Sequence, residues 1–322
     1  MKLVAYQIPL LALASLPSTF ALPVLERDGP YKHPIARVHI SSALTNAPGI
    51  TPNLHILDKA DLLSEGTIVS GSVGPNPIPT ATRPQKRSVI GAESRYLQTK
   101  TGNPWDYVGR LEWGVGNDGY RCSGALVGPR HLATARHCFN TTNTAITYTF
   151  RPNYDQGARG YTAGQVTNIL YVSGSLTDTC SYGDDWAVMI LNQRLGDKYG
   201  YFGAKQFAGT TATFWHEGYP FDLGGSERPY LEQSISGKSA SQCNSGTTGP
   251  ILTKADASDG QSGGPLWLLP EADGVRYTYG VLSSGSATDT LFAGRTAFVV
   301  LKLSSSRTKQ YPLTVEVDNI KV

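Results

Sequence analysis

From Ser88 onward the chain is written in short bursts of β-forming residues, and long stretches with the 3.6-residue period of an amphipathic helix are hard to find. The runs SGALVGPRHLATARHC, AITYTF, DWAVMIL, ATFWHEGYP, PLWLL, RYTYGVLSSG and TAFVVL are separated by turn residues. Many short strands can bury their apolar faces only by packing sheet on sheet or by closing a sheet on itself. The expectation is therefore an all-β sandwich or barrel. Residues 88–322 suffice for one large core or two small ones, and no tandem repeat with a fixed period is visible.

The chain before Ser88 reads differently. Residues 1–21 have Lys2, an apolar stretch to Leu16, then Pro17 and small residues up to Ala21, the layout of a secretory signal peptide. No later run reaches the roughly 18 apolar residues a membrane helix needs. Residues 22–87 are polar and proline-rich, and Pro75–Pro84 reads as an extended, poorly packed linker ending in the dibasic pair Lys86-Arg87. Cleavage between Arg87 and Ser88, removing 22–87 as a propeptide, is expected. Charge marks the same boundary: the chain has 28 Lys+Arg and 25 Asp+Glu, but 20 of each from Ser88 onward. The part after the junction thus carries no net positive charge to draw it to nucleic acid or an anionic membrane.

All four cysteines, Cys122, Cys138, Cys180 and Cys243, follow the junction. An even number in an exported chain favours two disulfides, and no Cys-x-x-Cys or His-x-x-x-His spacing suggests a structural metal. Three pairings are possible, and spacing does not choose among them. Asn140-Thr141-Thr142 is a candidate N-glycosylation sequon.

The stretch ASDGQSGGPLW, residues 257–267, sets Ser262 among glycines. That pattern makes either a tight surface turn or a nucleophile flanked by bare backbone N–H groups. A serine hydroxyl needs a base, usually histidine. Of six histidines, His33, His39 and His55 precede the junction, leaving His131, His137 and His216. Gly260-Gln261-Ser262-Gly263-Gly264 also fits the Gly-x-Ser-x-Gly elbow of α/β-hydrolases, but there the histidine follows the serine, and none follows Ser262. That fold is excluded. His137, delivered by two strand-like runs across a Gly-Pro turn, is the candidate base. His131 and His216 read as strand residues.

ATARHC and DGQSGGP resemble the Thr-Ala-x-His-Cys and Gly-x-Ser-Gly-Gly-Pro signatures of trypsin-like serine proteases, and DDWAVMIL looks like that family's aspartate segment. The resemblance covers most of 88–300. It implies two antiparallel six-stranded Greek-key barrels, roughly 88–205 and 206–305, with a C-terminal tail and the active site between the barrels. It implies a secreted endopeptidase made as a zymogen, with His137, Asp185 and Ser262 as the catalytic triad and Asp184 as a bystander. The N–H groups of Gly260 and Ser262 would form the oxyanion hole. It also implies a Cys122–Cys138 disulfide, leaving Cys180 for Cys243. The expected partners are protein or peptide substrates and the propeptide, for a monomer with no cofactor and no metal. The alternative class is a protease-fold binding module without its triad, and here all three positions are filled.

Several residues depart from the family pattern. Gln261 stands where the trypsin branch has an Asp that pairs with the new N-terminal amine, so the activation switch must differ. SVIGAESR and GQSGG look instead like the glutamyl endopeptidase branch. Arg136 is large where Gly or Ala is usual. Asp256 matches an acid at the pocket floor, which would favour a basic substrate residue. Ser258 replaces a cysteine there, and Leu282 sits where glutamate-specific relatives carry histidine. Leu282, Ser283 and Gly285 would line the substrate's extended edge.

Overall fold

The computed structural model describes residues 36–39, 49–57 and 93–294, apart from short stretches at 116–117, 143–144, 208–210, 244–248, 269–273 and 287. The expected signal peptide, the Pro75–Pro84 linker, the Arg87–Ser88 junction, the TAFVVL run and the C-terminal tail lie outside the described residues. Strands β1 (Ala36–His39), β2 (Asn53–Leu57) and β3 (Tyr96–Leu97) precede the first barrel. That barrel comprises β4 (Val108–Val115), β5 (Asp118–Leu126), β6 (His131–Thr134), β7 (Tyr148–Pro152), β8 (Gly164–Val172) and β9 (Ala187–Leu191). They run in the order β5-β4-β7-β8-β9-β6, and β5 pairs with β6 to close the ring. After β10 (Gly203–Ala204) come β11 (Ala212–Gly218), β12 (Tyr230–Ser239), β13 (Ile251–Thr253), β14 (Pro265–Trp267), β15 (Tyr277–Gly285) and β16 (Thr290–Ala293). These close in turn through β15–β16. The molecule is all-β, two closed six-stranded antiparallel barrels, as the resemblance implied. Closure gives each strand of a ring a neighbour on both sides over at least part of its length.

Each barrel has its own core. Leu111, Phe150, Val166, Ile169 and Met189 fill the first, and Phe214, Ile235, Leu266, Leu282 and Phe292 the second. A third cluster joins them. Trp105, Val127, Leu170, Trp186, Phe202, Trp215, Trp267 and Val281 come from both barrels and from the segments between. This aromatic layer fixes how one barrel sits on the other, and the residues of the cleft are held at that seam.

Three pairings cross the expected boundaries. Tyr96 and Leu97 pair with Leu231 and Tyr230 of the second barrel, although they precede the first in sequence. Residues 36–39 and 53–57, read as part of a poorly packed segment, are strands on the first barrel: β1 antiparallel to β5, β2 parallel to β8. The β8 pairing with β7 ends at Gln165, so the edge of Asn168–Val172 is open to β2. Leu54 and Leu57 pack against the first-barrel core and the seam, Ile56 faces out, and the His55 ring lies 2.9 Å from Asn168 Oδ1.

Adjacent residues of β11 point to opposite faces, and both are fully buried. The His216 ring packs on Phe292 with its Nδ1 3.0 Å from the Pro265 carbonyl, and burial pushes its pKa down to about 4. Glu217 accepts from Gln98 Nε2 at 3.1 Å, and burial pushes its pKa up to about 8. The signs are opposite. His216 stabilises above its unfolded pKa, and that stability is lost as pH falls from about 6.5 through 4. Glu217 stabilises below its unfolded pKa, and that stability is lost as pH rises from about 4.5 through 8. Glu217→Gln is therefore expected to match the wild type in melting temperature at pH 4.5 and to exceed it increasingly toward pH 8.5. A difference that does not change with pH would rule out the buried, protonated carboxyl.

Candidate active site

The seam brings three distant side chains into one hydrogen-bonded line. His137 sits in a single helical turn, Arg136–Cys138, directly after β6, and the Cys122–Cys138 disulfide ties that turn to β5. Asp185 caps the turn Ser181–Asp184 just before β9, and Trp186 behind it is buried in the seam. Ser262 stands in the loop between β13 and β14 of the second barrel. It lies within reach of His137: Ser262 Oγ is 2.6 Å from His137 Nε2. On the far side, His137 Nδ1 is 2.7 Å from Asp185 Oδ2, and the His137 backbone N–H donates to Oδ1 at 3.1 Å. Both of these contacts go to Asp185, not to its neighbour Asp184. Ser283 Oγ donates to the same Asp185 Oδ2 at 2.6 Å. Asp185 and Ser262 are both fully buried. A hydroxyl in this line can pass its proton to the imidazole as its oxygen forms a new bond, and the buried carboxylate favours the charged ring.

The glycines around Ser262 have specific causes. Gly260 has φ +89°, and a Cβ there would lie 2.2 Å from Ser226 Oγ and 2.3 Å from the Tyr219 carbonyl. Gly263 has φ +80°, and a Cβ would meet Thr134 Oγ1 at 2.1 Å. No side chain is admitted at either point. The loop is also pinned from the first barrel by Ser123. Its N–H donates to the Ser262 carbonyl at 2.7 Å, and its hydroxyl donates to the Gly260 carbonyl at 2.8 Å. Sequence reasoning missed Ser123, and no local pattern signals it, because the contact exists only once the barrels are docked.

Other expected site residues are placed differently. Leu282 is buried in the core of the second barrel, and its backbone exchanges bonds with Gly263 and Gly264, so its side chain is not a pocket group. Ser283 holds Asp185. Gly285 faces Ala257, and a Cβ on it would lie 3.4 Å from the Ala257 Cβ. Asp256 accepts from the Ser94 N–H at 3.0 Å and the Ser94 hydroxyl at 2.6 Å, because the segment that begins at residue 93 packs beneath this loop. Arg136 is buried and donates to the carbonyls of Val172 (2.6 Å) and Gly174 (2.7 Å). Cys180 and Cys243 form the second disulfide, joining the loop before Asp185 to a turn of the second barrel. Asn140 lies in the loop after His137 and accepts from Thr142 through its side-chain oxygen at 2.8 Å. Among the described residues no helix is long and apolar enough to cross a membrane.

Comparison with known proteins places this geometry. The family model described as Trypsin matches residues 97–297. Over 144 residues the chain is 30% identical to a glutamyl endopeptidase of Bacillus licheniformis, a match that takes in 42% of this chain and 43% of that protein. The chain thus matches less than half the length of that relative. A solved structure of a Glu endopeptidase in complex with MPD superposes with a TM-score of 0.52 at 20% identity, covering 67% of this chain and 99% of that one. At that identity the likeness is one of fold.

Proposed function

Since the chain belongs to the trypsin family of serine proteases and is glutamyl-endopeptidase-like within it, we propose that it is a secreted endopeptidase, made as a zymogen, that cuts peptide bonds through Ser262, His137 and Asp185. The observation that carries this reading is the unbroken line Ser262 Oγ–His137 Nε2 and His137 Nδ1–Asp185 Oδ2, at 2.6 and 2.7 Å. Ser262 attacks the substrate carbonyl carbon as His137 takes its proton. The tetrahedral oxyanion is held by the N–H groups of Gly260 and Ser262, and His137 returns the proton to the leaving amine. Water then repeats the sequence on the acyl-enzyme. Asp185 keeps the tautomer in which Nε2 is free to accept, and Ser283 keeps Asp185 in place.

The residue before the cut bond is acidic in this reading. A relative bears the name glutamyl endopeptidase, and Asp256, the acid that would otherwise hold a lysine or arginine, is bonded to Ser94. The test is a mass-spectrometric map of the cuts made in a denatured protein mixture by the secreted protein, beside its Ser262→Ala variant. Cuts made by the wild type alone, after glutamate, support both parts. Cuts after lysine or arginine refute the preference, and no cuts at all favour a protease-fold binding module.

A further inference from the structure

Gln261, next to Ser262, accepts a hydrogen bond from a buried arginine just before β3. Arg95 NH1 lies 2.6 Å from Gln261 Oε1, and the same oxygen accepts from the Ser258 N–H at 2.8 Å. The rest of the guanidinium is held by two carboxylates. Its NH1 and NH2 donate to Asp222 at 3.2 and 2.6 Å, and Nε and NH2 donate to Glu93 at 2.9 and 2.8 Å. The Arg95 side chain is 5% exposed. One cation facing two carboxylates has no need of a third, which explains a neutral acceptor at 261: an aspartate there would bring a further negative charge into a buried site. The neighbouring residues fasten the same region. The Ser94 hydroxyl donates to Glu232 of β12 at 2.8 Å as well as contacting Asp256, the Asp256 N–H donates to Glu232 at 2.8 Å, and β3 pairs with β12. Residues 93–97 therefore stitch β12, Asp222 and the 256–261 turn together.

These contacts use a side chain and the backbone of the uncut chain, and none requires a new terminal amine. We infer that Arg95 is a positioning residue that sets the Gly260–Ser262 turn through Gln261 before the chain is processed, so that the oxyanion site does not wait for cleavage after Arg87 to form. This rests on the serine-protease reading of Ser262.

The test uses a small sulfonyl fluoride. Ser262 Oγ displaces fluoride from sulfur to form a sulfonate ester, and the hydroxyl proton passes to His137. The full chain with its junction blocked by Arg87→Ala is compared with the processed protein. Labelling at Ser262 within about tenfold of the processed rate is expected, and an inert blocked chain beside a reactive processed one overturns the proposal. Arg95→Met should slow labelling of both forms by about 100-fold, the typical cost of losing an oxyanion donor. In the processed protein it should lower kcat more than it raises KM, because the donors act on the transition state. Arg95→Lys should restore part of the rate. A role confined to stability would lower the melting temperature and leave both the labelling rate and kcat unchanged. Should Arg95→Met not fold, Gln261→Met removes the same contact and leaves both carboxylates on Arg95, and wild-type labelling of that variant also overturns the proposal. A processed wild type that does not label at Ser262 is a different result: it refutes the nucleophile, not the role of Arg95.

Discussion

Ser262→Ala is expected to lower kcat for peptide hydrolysis on the order of 10⁶-fold with little change in KM or melting temperature. The change removes one oxygen from a buried loop whose backbone is held independently by Ser123, Gly263 and Leu282, so the fold has no reason to yield. Asp185→Asn should cost roughly 10⁴-fold. Its carboxylate oxygens accept from the His137 N–H, from His137 Nδ1 and from Ser283 Oγ. An amide must place a donor toward one of these positions. If it faces Nδ1, the ring proton moves to Nε2 and no lone pair is left for the Ser262 hydroxyl. Combining the two variants should be little worse than Ser262→Ala alone, because the residues act as one unit. Steady-state kinetics on a glutamate-containing peptide, with thermal melts in parallel, checks all three. A Ser262→Ala protein retaining a tenth of the activity would place the chemistry elsewhere.

The second large effect concerns the seam. Trp267 is fully buried, with ring centroids 4.9 Å from Trp215, 5.6 Å from Phe202 and 6.0 Å from Trp105, and the Arg276 guanidinium 5.2 Å from its own ring. Trp267→Ala should destabilise by about 3–5 kcal/mol, lowering the melting temperature by roughly 10 °C in a domain of this size. The cavity would open between the barrels, so activity should fall before the protein unfolds: His137 and Asp185 come from one barrel, Ser262 from the other. Trp267→Phe should be much milder. It keeps most of the ring contact and removes a buried indole N–H that has no hydrogen-bond partner. A melting temperature unchanged in Trp267→Ala would show that the seam carries little of the stability.

What could be read from the sequence follows from range. The all-β class was legible because strand alternation and turn residues are local; the two-barrel arrangement came from the resemblance to trypsin-like proteases. His137, Asp185 and Ser262 were legible because each lies in a short run with its own pattern. The surroundings of Asp256, Leu282 and Arg136 were not legible because they are assembled from far along the chain: Ser94 beside Asp256, the closing β15–β16 pair around Leu282, the end of β8 beside Arg136. Gln261 was recognised as a departure, but its partner Arg95 is 166 positions away, and nothing near either residue announces the other. The strand Asn53–Leu57 was missed for a related reason. Its partner edge on β8 is open only because β7 diverges from it, a fact of barrel geometry and not of local composition.

That strand changes character if the bond after Arg87 is cut. In the uncut chain β2 and β8 belong to one polypeptide, so their pairing is intramolecular. After the cut, the same pairing joins two separate polypeptides, and recovering it from the unfolded state becomes a bimolecular event. The lifetime of the cut protein would then be governed by how slowly it opens, with no ready route back once the short chain has diffused away.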